Sequence, residues 1–322
     1  MSTMKRRHLT NAFLAGSLTP AWSTLLAQTT PFKLWVGFAP GGSVDLTARA
    51  LAESLKDSLG RPVLVDNKPG AAGRLVLETV KQARPDGDTW MLVPHGPMTL
   101  FPWIHRQLRY DPVKDFTPIG RVCVLDYALT TGPATTASNI QEYVQWARNR
   151  NNKASFGSPG AGTIPHFIGQ GFAQKTRTDM VHVPYKGAAP TLVDLIAGNL
   201  SLAVTPLPDA VEHHRQGRVR ILATTGSQRT AFIKDIPTLK ETGIDVVLDG
   251  WYGVYAPAGV AESRVQVLSQ ALEQAVSQQE AFFQKNTMRA AYLRPDQLAQ
   301  LQRAEAAQWE PWVKASGFTP DD

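Results

Sequence analysis

From residue 34 onward, short apolar runs alternate with stripes of apolar residues at helical spacing. Leu34-Trp35-Val36-Gly37-Phe38 is a compact apolar run and predicts a strand. Ala39-Pro40-Gly41-Gly42-Ser43 then breaks the chain. Leu46, Ala50, Leu51, Leu55 and Leu59 follow at helical intervals up to Gly60, which predicts an amphipathic helix. The same reading gives a strand over 62–66, a helix from about 70 to 82 and a strand over 89–93. Strand, helix, strand, helix, strand is the signature of a parallel sheet covered by helices. The alternation resumes after Phe116. Strands are expected at 119–124, 154–157, 181–184, 200–204 and 219–224. Helices are expected at 140–150, 164–174, 190–197, about 262–276 and 295–316.

The first thirty residues depart from this pattern. Lys5, Arg6 and Arg7 precede an apolar run from about Asn11 to Leu26, and no acidic residue occurs before Asp45. A basic head, a short apolar core and Ala27 before the cut predict a secretory signal over 1–27, hence a periplasmic protein. Ser17, Thr19 and Pro20 interrupt the run and argue against a membrane anchor. Arg6-Arg7 leaves twin-arginine export open beside the general route. The formal charge is +6 for the chain and +3 without the leader, 30 basic against 27 acidic residues. That mild excess favours anionic solutes, and without a basic stripe it gives no reason to expect nucleic acid.

Candidate chemistry concentrates in three glycine-containing turns between a strand and a helix, where ligands of parallel α/β sheets collect. Amide groups at a helix start favour an anion, and glycine lets the backbone approach it. In the first turn, Phe38, Gly42 and Ser43 form a candidate anion cradle; Asp45 is either a helix cap or a contact for a ligand amine. In the second, Ser158, Gly160 and Thr163 are the candidates. This turn lacks the Lys of a phosphate loop, and no dinucleotide fingerprint follows a predicted strand. In the third, Tyr185 is either a packing residue or a donor to a carboxylate, and Lys186 is as readily explained by solvation. His95 follows the third strand, where a site would be. Catalytic and metal motifs are missing: there is no nucleophile elbow and no His-Glu-x-x-His, and His213-His214 are adjacent, so they do not share a helix face. No cofactor and no metal are expected. Cys123 reads as a small buried hydrophobe.

These turns, in this order, resemble one family: the extracytoplasmic solute receptors of tripartite tricarboxylate transporters, the Bug receptors. The matching segments are Pro-Gly-Gly-Ser-Val-Asp-Leu-Thr-Ala-Arg (40–49), Val-Asp-Asn-Lys-Pro-Gly-Ala-Ala-Gly (65–73) and Ala-Arg-Pro-Asp-Gly (83–87). Tyr-Asp-Pro-Val-Lys-Asp-Phe (110–116), Gly-Ser-Pro-Gly-Ala-Gly-Thr (157–163) and His-Val-Pro-Tyr-Lys-Gly-Ala-Ala-Pro (182–190) follow. Ile-Pro-Thr-Leu (236–239) and Gly-Trp-Tyr-Gly-Val-Tyr-Ala-Pro-Ala-Gly (250–259) complete the series. The resemblance implies an α/β, two-lobed periplasmic binding protein of the Venus-flytrap type, with lobe 1 over 28–130 plus 245–322 and lobe 2 over 131–244. Crossings are then expected near 125–135 and 225–250. It also implies capture of a small organic anion of carboxylate type for membrane permease subunits, by a monomeric chain. A sensor role on a membrane histidine kinase is the alternative, and an exported hydrolase or isomerase using Asp45, His95 or Tyr185 is the rival. By carry-over, Phe38, Gly42, Ser43 and Asp45 would contact ligand from the first lobe; Ser158, Gly160, Thr163, Tyr185 and Asp209 would do so from the second. Asp88 stands where the family usually has an aromatic residue, and His95-Gly96-Pro97 where small hydroxyl residues are frequent.

Overall fold

The computed structural model describes residues 30–149 and 154–316. The expected leader, 1–27, lies outside the described residues, as does the end of the helix expected at 140–150. Strand β1 (Phe32–Val36) leads into helix α1 (Ser43–Leu59), then β2 (Val63–Asn67), α2 (Arg74–Lys81) and β3 (Thr89–Pro94). Two short helical turns follow, α3 (Gly96–Thr99) and α4 (Phe101–Ile104). Next come β4 (Phe116–Thr131), α5 (Ile140–Arg148), β5 (Ala154–Ser158), α6 (Ile164–Thr176), β6 (Met180–Pro184) and α7 (Ala188–Ile196). The order ends with β7 (Leu202–Pro206), α8 (Leu207–Arg215), β8 (Arg220–Thr224), β9 (Asp249–Pro257), α9 (Glu262–Gln278), α10 (Glu280–Lys285), β10 (Arg289–Leu293) and α11 (Pro295–Ser316).

Among the described residues the strands join in the order β2-β1-β3-β9-β4-β7-β5-β6, with β8 and β10 also paired to β4. The long strand β4 has two roles. Its residues 116–126 pair antiparallel with β9, while 127–131 pair antiparallel with β7 and β8. One half of the sheet is therefore β2-β1-β3 in parallel, closed by β9 and β10; the other is β5, β6 and β7 in parallel, closed by β4 and β8.

Thr225 fastens the place where the chain passes between the halves. Its N–H donates to the Tyr127 carbonyl at 3.0 Å, and its hydroxyl accepts from the Tyr127 N–H at 3.0 Å while donating to Leu248 O at 2.6 Å. Beside it Asp126 is buried against Asp249, its register partner; burial first, then that second carboxyl, pushes Asp126 up to about 6.

Helix α1 is amphipathic, but its buried face is not the whole stripe read from the sequence: Leu51 and Leu55 are buried, whereas Leu46 is exposed and Ala50 and Leu59 are half-buried, because Val44 and Ala48 take the inner face instead. Val44, Ala48, Leu51 and Leu55 of α1 are buried with Phe32, Leu34 and Val36 of β1 and Leu268 and Leu272 of α9. Alternate residues of β9 serve opposite faces: Tyr252 and Val254 join this core, whereas Trp251 and Tyr255 pack with Met91, Val93 and Leu298. Asp88 has a structural explanation remote from the strand ends that face α1. It accepts from Arg61 and Arg264 at 3.0 and 3.1 Å, and the Arg61 guanidinium lies 3.9 Å over the Phe32 ring, so an ion cluster with a cation–π contact closes the bottom of the sheet. Cys123 is fully buried, and burial pushes its thiol up to about 12.

Candidate functional site

The breaks expected after β1, β5 and β6 bring their helix starts to one place. Between the two sheet halves lies a cavity lined by the first turn of α1, the ends of β3 and β7, the start of α6 and aromatic residues of β4 and β9. The halves touch around it. The Ala39 N–H donates to the Lys186 carbonyl at 3.0 Å. Gly187, at φ 137°, is where glycine is required: a Cβ there would stand 3.2 Å from the Ala39 nitrogen. Gly160 approaches Ala72 across the same boundary, at 3.1 Å for an added Cβ.

Five of the ten residues singled out from the sequence line this cavity: Phe38, Gly42, Ser43, Thr163 and Asp209. Ser43 and Asp209 meet directly. The Ser43 N–H donates to Asp209 Oδ1 at 2.6 Å and its hydroxyl donates to Asp209 Oδ2 at 2.8 Å. Tyr252 Oη lies 2.7 Å from Ser43 Oγ and, with the serine proton directed to Asp209, is the donor of that pair. The chain Tyr252→Ser43→Asp209 thus links β9, α1 and α8 across the cavity. Burial pushes the Asp209 carboxyl up to about 6, against the lowering effect of its two Ser43 donors.

The other five lie behind the wall. Asp45 is 2% exposed and turned into its own loop: it accepts from the Gly41 N–H at 2.9 Å, from Asn67 Nδ2 at 2.9 Å and from Arg49 Nε at 3.0 Å. Burial works to raise its carboxyl, but Arg49 and the other donors outweigh it and hold it below its ordinary value. Asp45 does not cap α1, whose N-cap Gly42 has no side-chain cap bond; its contacts are those of a loop lock. Ser158 accepts from His182 Nε2 at 2.8 Å and donates to the Gly160 carbonyl at 3.0 Å. His166 Nδ1 accepts from the Gly162 N–H at 3.0 Å. The two imidazoles stack with centroids 3.7 Å apart, and burial, then the His166 ring, pushes His182 down to about 3. The stacked histidine pair therefore shapes the 157–163 turn from beneath. Tyr185 directs its hydroxyl to Asp194 Oδ2 at 2.6 Å, away from the cavity.

His95 is 1% exposed and reaches the cavity through another residue. Its Nε2 lies 2.8 Å from the Tyr127 hydroxyl, and Tyr127 lines the cavity. Its Nδ1 contacts Glu305 of α11. Glu305 also accepts from the indole N–H groups of Trp251 at 2.6 Å and Trp309 at 3.3 Å. Burial favours the neutral Glu305 carboxyl, but the His95 ring and these donors prevail and keep it below its ordinary value. Tyr127 and Tyr252 were not singled out from the sequence. Each is one aromatic in a buried strand, and only the β4–β9 pairing brings them together, although Tyr252 stands inside the Gly-Trp-Tyr-Gly segment.

Among the described residues no group of three or more His, Cys, Asp or Glu is placed to hold a metal, and no helix is long and apolar enough to cross a membrane.

Comparison with known proteins agrees with this geometry. The sequence profile described as "Tripartite tricarboxylate transporter family receptor" matches residues 47–318. The UPF0065 protein in the gbd 5' region of Cupriavidus necator is 34% identical over 246 residues, 76% of this chain and 74% of its own. Among solved structures, the periplasmic binding protein BugD superposes with a TM-score of 0.86 at 27% identity, over 90% of this chain and 98% of its own. R. palustris Rpa4515 with adipate does so with 0.85 at 26%, over the same shares. BugD is a periplasmic binding protein, and the fold shared with it is the two-lobed α/β periplasmic binding fold with its cleft between the lobes. This chain belongs to the tripartite tricarboxylate transporter receptor family.

Proposed function

We propose that the protein is exported to the periplasm by a leader over 1–27, captures a small organic anion of carboxylate type in the cavity between its lobes, and delivers it to the membrane permease of a tripartite transporter. The closing bodies are 28–130 with 245–322, and 131–244. The observation that carries this reading is the single cavity wall shared by the starts of α1 and α6 and by β4 and β9. Amide groups at helix starts suit a carboxylate, and a ligand touching both lobes favours the closed state over the open one. Support for the ligand class comes from Rpa4515, solved with adipate. Phe38, Gly42, Ser43, Thr163 and Asp209 are the direct contacts in this reading. His95 orients Tyr127, while Asp45, Ser158, Gly160 and Tyr185 hold the turns in shape.

A thermal-shift screen of the mature chain against mono- and dicarboxylates, amino acids and aromatic acids tests the reading. Binding to the native state alone raises the melting temperature with ligand concentration. At least one small acid is expected to raise it in a saturable way. A flat response across the screen contradicts the proposal.

A further inference from the structure

We infer that the preferred ligand is an amino-substituted carboxylate whose ammonium group pairs with Asp209. The inference rests on the reading of this cavity as the ligand site and narrows its substrate class. The amide at the start of α1, which the sequence offers to a ligand anion, already holds an anion of the protein's own: Asp209 takes both the N–H and the hydroxyl of Ser43. Asp209 is half-buried and lines the cavity, so it stands within reach of a ligand held there. A carboxylate has about four acceptor positions, and Ser43 engages two of them.

Among the described residues no lysine, arginine or histidine lines the cavity. The donors that answer the Asp209 charge are both on Ser43, and the wall around it is apolar: Phe38, Val44, Pro94, Pro97 and Ile164. Asp45, in the first turn of α1, shows the contrast, since Arg49 and Asn67 complete its shell. A charge placed in a low-dielectric site calls for a partner. A second carboxylate beside Asp209 would add like-charge repulsion that the cavity has no cation to relieve. An ammonium supplies the missing counter-charge and its protons fill the open acceptor positions. The ligand's own carboxylate then faces the opposite wall, where Thr163 and Ile164 open the 13-residue helix α6 and the helix start favours an anion.

Isothermal titration calorimetry of the mature chain at pH 7.5 tests this with three matched sets. These are 4-aminobutanoate, butanoate and succinate; 6-aminohexanoate, hexanoate and adipate; 4-(aminomethyl)benzoate, 4-methylbenzoate and terephthalate. In at least one set the amino acid is expected to bind ten-fold or more tightly than both partners. Asp209→Asn, isosteric, able to accept the Ser43 N–H through its oxygen and to donate its amide to the Ser43 hydroxyl, is expected to cost the amino acid at least ten-fold and to improve the dicarboxylate. Should Asp209→Asn not fold, the ratio within the wild-type sets decides alone. A dicarboxylate that equals or outbinds its amino partner in every set that binds overturns the inference and leaves the receptor reading intact. An Asp209→Asn protein with an unchanged ratio does the same. Failure of every acid in all three sets overturns both.

Discussion

The two sides of the first turn of α1 each carry an aspartate, and they are treated in opposite ways. On the loop side Asp45 is enclosed by the Gly41 N–H, Asn67 and Arg49, and its carboxyl lies below its ordinary value. On the cavity side Asp209 meets the same turn through Ser43, without a cation, and burial pushes it up to about 6. A backbone amide donor is common to both, so the amides do not set the difference. The remaining shell does: a complete shell makes a structural lock, and an incomplete one facing a cavity leaves chemistry for a ligand to complete.

The largest expected effect comes from breaking the lock. Asp45→Ala strands Arg49, Asn67 and the Gly41 N–H, and is expected to cost about 2–4 kcal/mol in denaturant unfolding at pH 7. The sign with pH follows from the lowered carboxyl: its contribution is present above its unfolded value near 3.8 and is lost as pH falls through the lower folded value. The deficit of Asp45→Ala should therefore shrink below pH 4.

Asp209→Asn has the reverse sign. A carboxyl raised from 3.8 to about 6 on folding contributes most below pH 4, and that contribution is lost as pH rises through 6. The ligand-free variant is then expected to be more stable than wild type at pH 7.5 by about 1–2 kcal/mol. The rise itself corresponds to at most ~3 kcal/mol, and solvent reaching a partly exposed carboxyl reduces it. Parallel denaturation at pH 4.5 and 7.5 reads the difference; equal stabilities at both would place Asp209 in a far wetter setting than its contacts describe. Asp126→Asn sharpens the comparison, because Asp126 is raised to the same level at the chain crossing without lining the cavity. It should show the same pH trend but leave ligand preference unchanged.

Smaller effects isolate the supports. Asn67→Ala removes one donor from Asp45 and one bond to the Phe38 carbonyl, for a loss of about 1–2 kcal/mol. Gly187→Ala imposes a Cβ at φ 137° against Ala39, with a loss of about 1 kcal/mol or more borne by the closed state. Small-angle scattering with saturating ligand should find it less compact than wild type.

Much of this was legible in the sequence where one segment carries its own signal. The β1 run, the α1 stripe ending at Gly60 and the glycine turns before α1 and α6 were read from spacing and breakers alone. Elements whose cause lies elsewhere in the chain were not. β4 was expected at 119–124 but extends over Phe116–Thr131, because β9 and β10 pair with its first part and β7 and β8 with its last. Pro118 and Gly120 sit at a register shift rather than at its end. α8 was not among the expected helices; Pro208 stands in its first turn, where proline is favourable. The site followed the same rule. Ser43 was visible as a helix-start residue, but its partners Asp209 and Tyr252, 166 and 209 residues away, meet it only through the fold. His95 was singled out by its place after β3; that it acts through Tyr127 and leans on Glu305 follows from the docking of α11.

Native mass spectrometry of the mature chain with the small-acid panel tests the central claim most directly. The account predicts a one-to-one noncovalent complex with at least one acid, released unchanged in mass. A chain that stays free with every acid, or that returns its ligand chemically altered, would contradict it.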